Sequence, residues 1–406
     1  MRYGAAAAIF VAAAVLVLLL PVLWGPAPSV EPAPTASPAA ETPAAEPQEC
    51  RAVWISYLEW QQTDFSSAEA FRADAAAMLD NIAALGANRV FAHLRPFGDA
   101  LYPSDYFPFS HLCTGTQGED PGFDPLAILL EEAHARGLEL EGWINPYRLQ
   151  AGGTPDRFAA TSPAVTHPDW VRQTGDGSYL NPASAQVRQY LADSLAELCS
   201  RYAVDGIHFD DYFYPTTDPA FDAGDYAASG STLSLEDWRR ENVNALMRLC
   251  CETCHRYGVR FGVAPQGTPE GCRDGQYSDA ARWLAEGGYC DYLMPQLYWG
   301  RSYSRGGDTS QSLDELAAVW LALPRAEGVS LCFGLGAYRI GEGDGGDRSG
   351  PGTEWSSGSA LAEQAEFLRG AGADGVGLYR YASLFDNTLY PTLAAQEAAA
   401  LQKTWK

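Results

Sequence analysis

The sequence predicts an α/β protein in which eight strand–helix units follow one another, and three observations lead to this fold class. From residue 50 onward, short apolar runs alternate strictly with amphipathic stretches, which is the pattern of a parallel sheet covered by helices. Several amphipathic stretches begin at a serine that can cap a helix. The segments that follow the strands are long, whereas the opposite connections are short. Because eight such units close a ring, we expect a single (β/α)8 barrel of the TIM type.

The composition supports a large folded domain and argues against one class of partner. The 406 residues are 47% hydrophobic, which is enough to bury a core, so disorder is excluded as the main state. Acidic side chains number 51 against 27 basic ones, and the net charge of −24 argues against nucleic acid as a partner. The 11 Trp and 21 Tyr exceed what a core requires. Aromatic faces suit sugars, although they also serve plain packing.

The first 25 residues are a separate element. No charge occurs between Gly4 and Gly25, and the run from Ile9 to Leu20 is almost wholly aliphatic. Such a run is about long enough to span a bilayer at ~20 residues, and Arg2 in front of it orients an export signal. We expect residues 1–25 to be a signal anchor, with a cleaved signal peptide as the alternative.

Residues 26–49 are predicted to be a disordered, semi-rigid linker. Positions 26–48 hold seven Pro and seven Ala and almost no bulky apolar residue, so they cannot form a core. An apolar anchor followed by a Pro-rich spacer places the remaining chain outside the membrane. The sequence therefore predicts an extracytoplasmic protein held at the cell surface through its N-terminal segment, or alternatively a secreted one.

Residues 50–402 are predicted to form the barrel, with no second domain and no indication of the oligomeric state. The predicted strands are Ala52–Tyr57, Arg89–Leu94, Glu139–Ile144, Gly206–Asp210, Arg260–Ala264, Tyr292–Gln296, Leu331–Leu335 and Gly375–Tyr379. The helical patterns lie near 68–85, 124–136, 184–202, 234–256, 279–286, 312–322, 359–369 and 391–402. The predicted helix-capping residues are Ser184, Ser234, Ser312 and Ser359.

The nine cysteines follow no regular spacing, and their odd number predicts at least one free thiol. Cys251, Cys254 and His255 match the C-x-x-C-H pattern of c-type haem attachment. The segment from Leu235 to Tyr257 has helical periodicity, however, so we expect these cysteines to line a helix that packs on the sheet.

In such barrels, the side chains that do chemistry project from the carboxyl ends of the strands. The sequence gathers carboxylates, amides, guanidinium groups and aromatic rings at those positions. An Arg can hold a substrate carboxylate with two hydrogen bonds, and Trp or Tyr can stack on a sugar. The alternatives are a network that only fixes loops and plain core packing. The predicted substrate-binding residues are Arg95, Asp99, Asn145, Tyr147, Arg148, His208, Gln296, Tyr298, Trp299 and Tyr338.

The sharpest motif is the run Asp205–Tyr212, DGIHFDDY, at the end of the fourth strand. Adjacent acids repel each other, so a purely structural barrel has little use for them. Glycoside hydrolysis needs one ionised and one protonated carboxyl group. We predict that Asp210 is the ionised nucleophile or charge stabiliser, and that Asp211 is the acid or orients it. Two alternatives are ion pairs with Arg95 and Arg148, and a divalent cation held by both Asp.

Several segments, in order, resemble the bacterial glycosyl hydrolase-like 10 family over about residues 50–390. The resemblance implies a TIM-type barrel in the cell envelope. It also implies an activity, since some members are implicated in cutting peptidoglycan glycan strands stripped of their peptides. The segments that carry the resemblance are Leu94–Ser104, Thr114–Gly118, Phe123–Leu126, Gly137–Glu139, Trp143–Arg148, Gly206–Pro215 and Asp291–Trp299.

One departure from a related pattern matters for the mechanism. Chitinase-type barrels carry D-x-x-D-x-D-x-E on the fourth strand. Here Asp205 and Asp210 fit the first and third acids, but His208 replaces the second and Tyr212 stands where the acid would be. A substrate-assisted mechanism, in which an N-acetyl group attacks and Asp210 orients it, then needs another proton donor. The available carboxyls, in order of preference, are those of Asp211, Asp99, Glu59 and Glu270.

The leading prediction is a glycoside hydrolase that acts on an N-acetylated cell-envelope polysaccharide, namely peptidoglycan glycan strands, without a cofactor. The alternatives are a non-catalytic surface barrel that binds carbohydrate and a metal-dependent hydrolase that uses the Asp pair. The sequence shows no His-rich cluster at the strand ends, which counts against the metal.

Overall fold

The computed structural model describes residues 48–175, 177–348 and 353–406. Residues 49–406 form one compact unit. The predicted anchor and nearly all of the predicted linker lie outside the described residues. Within the described part of the chain, no helix is both long and apolar enough to cross a membrane.

Thirteen strands are assigned in the described residues. They are β1 (Cys50–Ile55), β2 (Arg89–Arg95), β3 (Glu139–Ile144), β4 (Arg148–Gln150), β5 (Val171–Thr174), β6 (Gly177–Leu180), β7 (Gly206–Phe209), β8 (Arg260–Val263), β9 (Tyr292–Leu293), β10 (Gln296–Leu297), β11 (Ser330–Leu331), β12 (Phe333–Gly336) and β13 (Gly375–Tyr379).

The helices cover the predicted helical patterns and add short ones in the insertions. They are α1 (Tyr57–Trp60), α2 (Ala68–Leu85), α3 (His111–Thr114), α4 (Pro125–Ala135), α5 (Pro163–Thr166), α6 (Ala185–Arg201), α7 (Ala223–Ser229), α8 (Leu235–Arg256), α9 (Pro269–Gly275), α10 (Ala280–Ala285), α11 (Leu313–Leu321), α12 (Ala360–Ala371), α13 (Tyr381–Phe385) and α14 (Pro391–Trp405).

Ten of the strands form a curled, all-parallel sheet, in keeping with the predicted TIM-type fold. Its order is β10-β12-β13-β1-β2-β3-β7-β8-β9-β11. The two ends of this order come from the same two segments, 292–297 and 330–336, each interrupted by one or two residues. The interruptions stay hydrogen-bonded, since Cys332 N donates to Leu293 O (2.8 Å) and Gly334 N donates to Pro295 O (2.9 Å). The expected sixth and seventh strands therefore exist as split strands.

The interior of the curled sheet and the layer beneath the helices are two separate apolar clusters. Strand alternation sends Trp54, Phe91 and Trp143 inward, whereas neighbouring residues such as Val53 and Val90 pack toward the helices. Gly377 makes room for the inner cluster, because a Cβ there would lie 2.5 Å from the Trp54 ring.

The helix starts follow the expected capping in three cases out of four. Ser184, Ser234 and Ser312 each accept a backbone N–H of the first turn. The prediction for Ser359 is wrong, because its side chain does not cap α12. Instead the buried carboxylate of Glu397, from α14, accepts Ala360 N (2.7 Å) and Leu361 N (3.0 Å).

All nine cysteines are buried free thiols. Cys251 and Cys254 lie on α8, which packs on the sheet and on α6, as the sequence predicts. The imidazole of His255, the last residue of the C-x-x-C-H pattern, binds the Asp291 carboxylate (Nε2 to Oδ1, 2.9 Å). The insertion after β3 contains a small antiparallel sheet, β4-β6-β5, which the sequence analysis does not predict.

Candidate active site

A cleft of about 400 Å³ opens at the carboxyl ends of the parallel strands. This volume falls within the range of about 300–1,000 Å³ that is typical of ligand pockets. Two carboxylates and several aromatic rings face it. The lining consists of Trp54, Leu58, Trp143, Asp210, Asp211, Tyr212, Ala264, Gln296, Tyr298, Tyr338, Tyr379 and Arg380.

Asp210 directly follows β7 and is 3% exposed. Its Oδ2 accepts hydrogen bonds from the Trp143 indole (3.1 Å) and the Asn145 amide (2.5 Å). Its Oδ1 accepts the backbone N–H of Tyr212 (3.1 Å). Each of these three partners presents an N–H to Asp210, and hydrogen bonds of this kind favour the ionised carboxylate.

A second layer of groups orients the donors to Asp210. The Asn145 carbonyl lies 2.5 Å from His93 Nε2 and accepts the Arg148 guanidinium at 3.0 Å, so the amide N–H2 must face Asp210. The His93 ring also stacks on Trp143, with 3.5 Å between centroids and 9° between planes. Burial lowers the pKa of His93 well below its usual value, so the ring is neutral. His93 therefore contacts two of the three groups that donate to Asp210.

Asp211 has different partners. Its Oδ2 accepts the Gln276 amide (3.1 Å) and its Oδ1 accepts the Gln296 amide (3.3 Å). The carbonyl oxygen of Gln276 is buried and has no hydrogen-bond partner among the described residues. A Gln side chain can present either its N–H2 or its carbonyl, so it can accept a proton from Asp211 as well as donate to it.

The electrostatics of the pair raise both pKa values. Burial and the adjacent charge of Asp211 raise the pKa of Asp210 to about 7, against the opposing effect of the Arg148 guanidinium. Burial also raises the pKa of Asp211, while the Gln276 and Gln296 amides oppose it. Because the two groups interact, their protons leave in steps that belong to the pair. The pair can hold one proton near neutral pH.

Three tyrosines form one wall of the cleft. Tyr298 stacks on Tyr379 with 5.6 Å between centroids and 22° between planes, and Tyr338 meets Tyr298 edge to face at 5.6 Å. The Trp54 ring lies edge to face with Tyr379 at 6.2 Å. Wide aromatic faces next to paired carboxylates are suited to holding a sugar ring near an acid.

The family follows from the sequence as a whole. The glycosyl hydrolase-like 10 family model matches residues 49–349. The chain belongs to this family. Membership confirms the family resemblance that the sequence predicts.

Two curated relatives carry glycosyl hydrolase names. Glycosyl hydrolase YngK of Bacillus subtilis is 34% identical in an alignment 319 residues long, which covers 72% of this chain and 61% of that protein. The chain thus spans about three fifths of that relative's length. Glycosyl hydrolase DigH of Escherichia coli K12 is 35% identical over 350 residues, covering 77% of this chain and 78% of that one.

Solved structures share the fold of this glycosyl hydrolase-like 10 member. The glycoside hydrolase domain of PgaB (BpsB) from Bordetella bronchiseptica gives a TM-score of 0.55 at 13% identity, covering 89% of this chain and 99% of that one. The C-terminal domain of a putative chitinase from Desulfitobacterium hafniense gives 0.51 at 13% identity, covering 88% and 100%. At such identities the likeness concerns the fold alone.

The structure brings about half of the predicted site residues to the cleft. Asp210, Asp211, Gln296, Tyr298 and Tyr338 line it. Asn145 lies one layer behind the lining, as does Arg148, which donates to the Pro96 carbonyl and packs over the Tyr212 ring (5.0 Å). His208 lies inside the barrel, where its Nε2 accepts the Trp54 indole N–H (3.2 Å) and its Nδ1 is 2.7 Å from the Tyr292 hydroxyl.

Four further predicted substrate-binding residues also lie outside the cleft lining. Arg95 donates to Ser194 on α6 (2.8 Å) and Tyr147 is fully buried. Asp99 binds His111 Nδ1 (2.7 Å) and the Gln117 amide, so it organises the insertion after β2. Trp299 packs edge to face against Tyr303, with 6.3 Å between centroids.

The Arg95 side chain points toward the helices because of an irregularity in the pairing of two strands. The pairing of β2 with β3 shifts register between His93 and Arg95, so Arg95 pairs with the helix-facing Ile144. A one-residue shift sends the following side chain to the other face of a sheet. Strict alternation from His93 therefore predicts the wrong side for Arg95.

The structure adds residues that the sequence analysis did not select for the site. Trp54, Trp143, Tyr379 and Arg380 line the cleft, and His93 supports it. Strand alternation could have indicated Trp143, because it lies two residues before Asn145 and therefore on the same face of the strand. It also pairs with the inward-facing His93.

The two alternative hypotheses for the Asp pair were ion pairs with Arg95 and Arg148 and a divalent cation held by both carboxylates. Among the described residues, neither Asp210 nor Asp211 has an Arg or Lys nitrogen within 4.0 Å. In the same part of the chain, no group of three or more His, Cys, Asp or Glu is arranged to hold a metal ion.

Proposed function

We propose that the protein hydrolyses glycosidic bonds in an N-acetylated cell-envelope polysaccharide, namely peptidoglycan glycan strands. The observation that carries the proposal is the Asp210–Asp211 pair in an aromatic-lined cleft at the strand ends. Burial raises the pKa of both carboxyl groups, so one proton stays available near neutral pH. Glycoside hydrolysis requires one protonated and one ionised carboxyl group.

The hydrogen-bond partners support one position for that proton. Every neighbour within hydrogen-bond distance of Asp210 donates to it, so a protonated Asp210 would have no acceptor there. Asp211 faces two Gln amides, and Gln276 has an unused carbonyl oxygen. Asp210 is therefore the ionised group and Asp211 carries the proton.

The reaction then follows from these two states. Asp211 gives its proton to the glycosidic oxygen as the bond from that oxygen to the anomeric carbon breaks. Asp210 supplies the negative charge that attacks or stabilises the oxocarbenium-like carbon, or orients an N-acetyl group that attacks it. Water completes the hydrolysis by adding to the carbon, and its proton returns to Asp211.

The location of the reaction is part of the proposal. The uncharged apolar segment within residues 1–25 and the Pro-rich linker support a barrel held outside the membrane, where peptidoglycan lies. Cell fractionation of the full chain tests this: recovery in the cytoplasmic fraction would contradict it, and recovery in the culture medium would support the cleaved alternative.

The test of the activity is Asp210→Asn. Asn keeps the shape but loses the charge, so we expect turnover to fall by at least about 10²–10³-fold, the usual effect of removing a group that stabilises charge in the transition state. Mass spectrometry of the products released from peptide-free and peptide-bearing peptidoglycan measures it. The matched control is Asp205→Asn, because Asp205 lies at the opposite end of β7 and pairs with His134 (2.9 Å).

Each outcome separates the candidate functions. Unchanged turnover in Asp210→Asn would contradict the proposal that hydrolysis occurs at Asp210 and Asp211. Binding of glycan by the wild type without any turnover would identify a carbohydrate-binding barrel instead. Loss of wild-type turnover in a chelator, with recovery on adding a divalent cation, would favour the metal-dependent hydrolase.

A further inference from the structure

A second cavity lies beside the catalytic cleft and has no role in the mechanism above. Its volume is about 650 Å³, larger than that of the cleft, and both are lined by Leu58 and Arg380. It lies over the carboxyl ends of β1 and β13, between α1, α2 and α13. The two spaces therefore adjoin on the face of the barrel where ligands bind.

The boundary between the two spaces is held rigidly. The buried carboxylate of Glu59 accepts Ser56 N (2.9 Å), Ser56 Oγ (2.6 Å) and Ala382 N (3.0 Å), and it also pairs with Arg380. These contacts tie the segment after β1 to the segment after β13. Groups fixed in this way before a ligand arrives lower the entropy cost of binding.

The lining of the second cavity is suited to a sugar. The side chains of Gln61, Gln62 and Thr388 make no hydrogen bond to other described residues, so they can exchange water for sugar hydroxyls or amides. Met78 and Tyr381 add buried apolar surface. A few polar groups on an apolar floor are the usual composition of a small-molecule site.

The charge of the lining restricts the ligand further. Three carboxylates, those of Glu59, Asp74 and Asp386, face the cavity together with the single guanidinium of Arg380. Burial and the nearby Glu59 charge raise the pKa of Asp386, which indicates that negative charge is already crowded here. A carboxylate-bearing group would meet repulsion, whereas an uncharged sugar would not.

We propose that this second cavity binds uncharged sugar units of the same glycan chain whose cleavage occurs at Asp210 and Asp211. The proposal rests on the function proposed above and extends it, because it makes the enzyme selective for long chains. A short fragment reaches only the catalytic cleft. A longer one crosses Leu58 and Arg380 and gains the additional contacts.

The test blocks the second cavity without altering the catalytic cleft. Ala77 is exposed on α2 and lines only the second cavity, so Ala77→Trp places a large ring in it. Ala318→Trp is the matched control, because Ala318 is also exposed, on α11, and lines neither space. The full chain is assayed by mass spectrometry on a short and on a long peptide-free glycan fragment.

We expect Ala77→Trp to lower kcat/KM on the long fragment by about tenfold, equivalent to ~1.4 kcal/mol of lost binding. The value on the short fragment should not change, and Ala318→Trp should match the wild type on both. Equal losses on both fragments, or no loss on the long one, would overturn the inference while leaving the catalytic proposal intact. No turnover by the wild type on either fragment would instead overturn the proposed function.

Discussion

Two groups of buried carboxylates occupy opposite ends of the barrel and differ in what surrounds them. At the amino end, Glu141 is fully buried and lies 3.2 Å from Arg89 and 3.1 Å from Arg260, and it accepts the Tyr292 hydroxyl at 2.5 Å. Gly206 leaves room for it, since a Cβ there would lie 2.5 Å from the Glu141 carboxyl carbon. At the carboxyl end, Asp210 and Asp211 have each other and only neutral donors.

The difference shows that burial alone does not mark a catalytic carboxylate. Both groups are removed from water, which raises the pKa of Glu141 as it raises those of the Asp pair. Glu141 has two cations to balance its charge and no adjoining cleft, so its arrangement stabilises the fold. The Asp pair has no such cation and faces open space. Uncompensated charge in a cleft is a cost that stability does not explain, and it marks the Asp pair as the candidate catalytic group.

The largest expected effect is therefore on stability, at Glu141. Glu141→Ala leaves Arg89 and Arg260 with the single carboxylate of Glu139, so it should lower the free energy of unfolding by up to about 3–5 kcal/mol. Asp210→Ala should cost much less or raise it, because it removes a buried charge that no paired cation balances. Urea denaturation followed by circular dichroism measures both. Equal losses in the two variants would break the comparison between the two ends of the barrel.

Glu397 sharpens the comparison, because it is a buried carboxylate with neither a cation nor a like-charged neighbour in hydrogen-bond contact. Burial raises its pKa to about 7 from 4.5, against two backbone donors. A raised folded pKa stabilises the fold at low pH, and this stability is lost as the pH rises from about 4.5 through about 7.

Glu397→Gln removes that titration while keeping an acceptor for the α12 N–H groups. Between about pH 4.5 and about pH 7, the difference in free energy of unfolding between variant and wild type should change by on the order of 3 kcal/mol in favour of the variant. Groups common to both proteins cancel in this difference. Parallel pH profiles for the two proteins would show that Glu397 does not titrate in this range.

The sequence predicts the fold well because its signals are local and repeated. The alternation of apolar runs, the helix periodicity and the capping at Ser184, Ser234 and Ser312 all depend on neighbours along the chain. The failure at Ser359 has the opposite cause, since Glu397 replaces it from a distant helix. The split at Cys332 also lacks a local signal, whereas the split at Met294–Pro295 contains a proline that cannot donate to a neighbouring strand.

The site is predicted less completely, because several of its residues are placed by contacts between segments that are distant in the chain. Asp210 and Asp211 are adjacent in the chain, so the motif exposes them, and both line the cleft. Arg95 turns away because of a register shift that only pairing with β3 produces. His93 could not be selected, because its importance comes from Asn145 and Trp143, which lie about 50 residues further along the chain.

The smallest expected effect concerns His93, which does not line the cleft. It acts on Asp210 only through its contacts with Trp143 and Asn145. His93→Phe keeps a ring on Trp143 but removes the hydrogen bond to the Asn145 carbonyl. The amide then holds Asp210 less firmly, so we expect kcat to fall by about tenfold, or ~1.4 kcal/mol in the barrier. The weaker donor also stabilises the Asp210 anion less, so the acidic limb of the pH–rate profile should move to higher pH.

The matched control for His93→Phe is His111→Phe. His111 is also hydrogen-bonded to a buried carboxylate, that of Asp99, but it does not line the cleft. A purely structural role for His93 would lower the melting temperature in both variants and leave both pH–rate profiles in place. A shift confined to His93→Phe would show that the carboxyl end of the barrel depends on neutral donors held in position, as the amino end depends on cations.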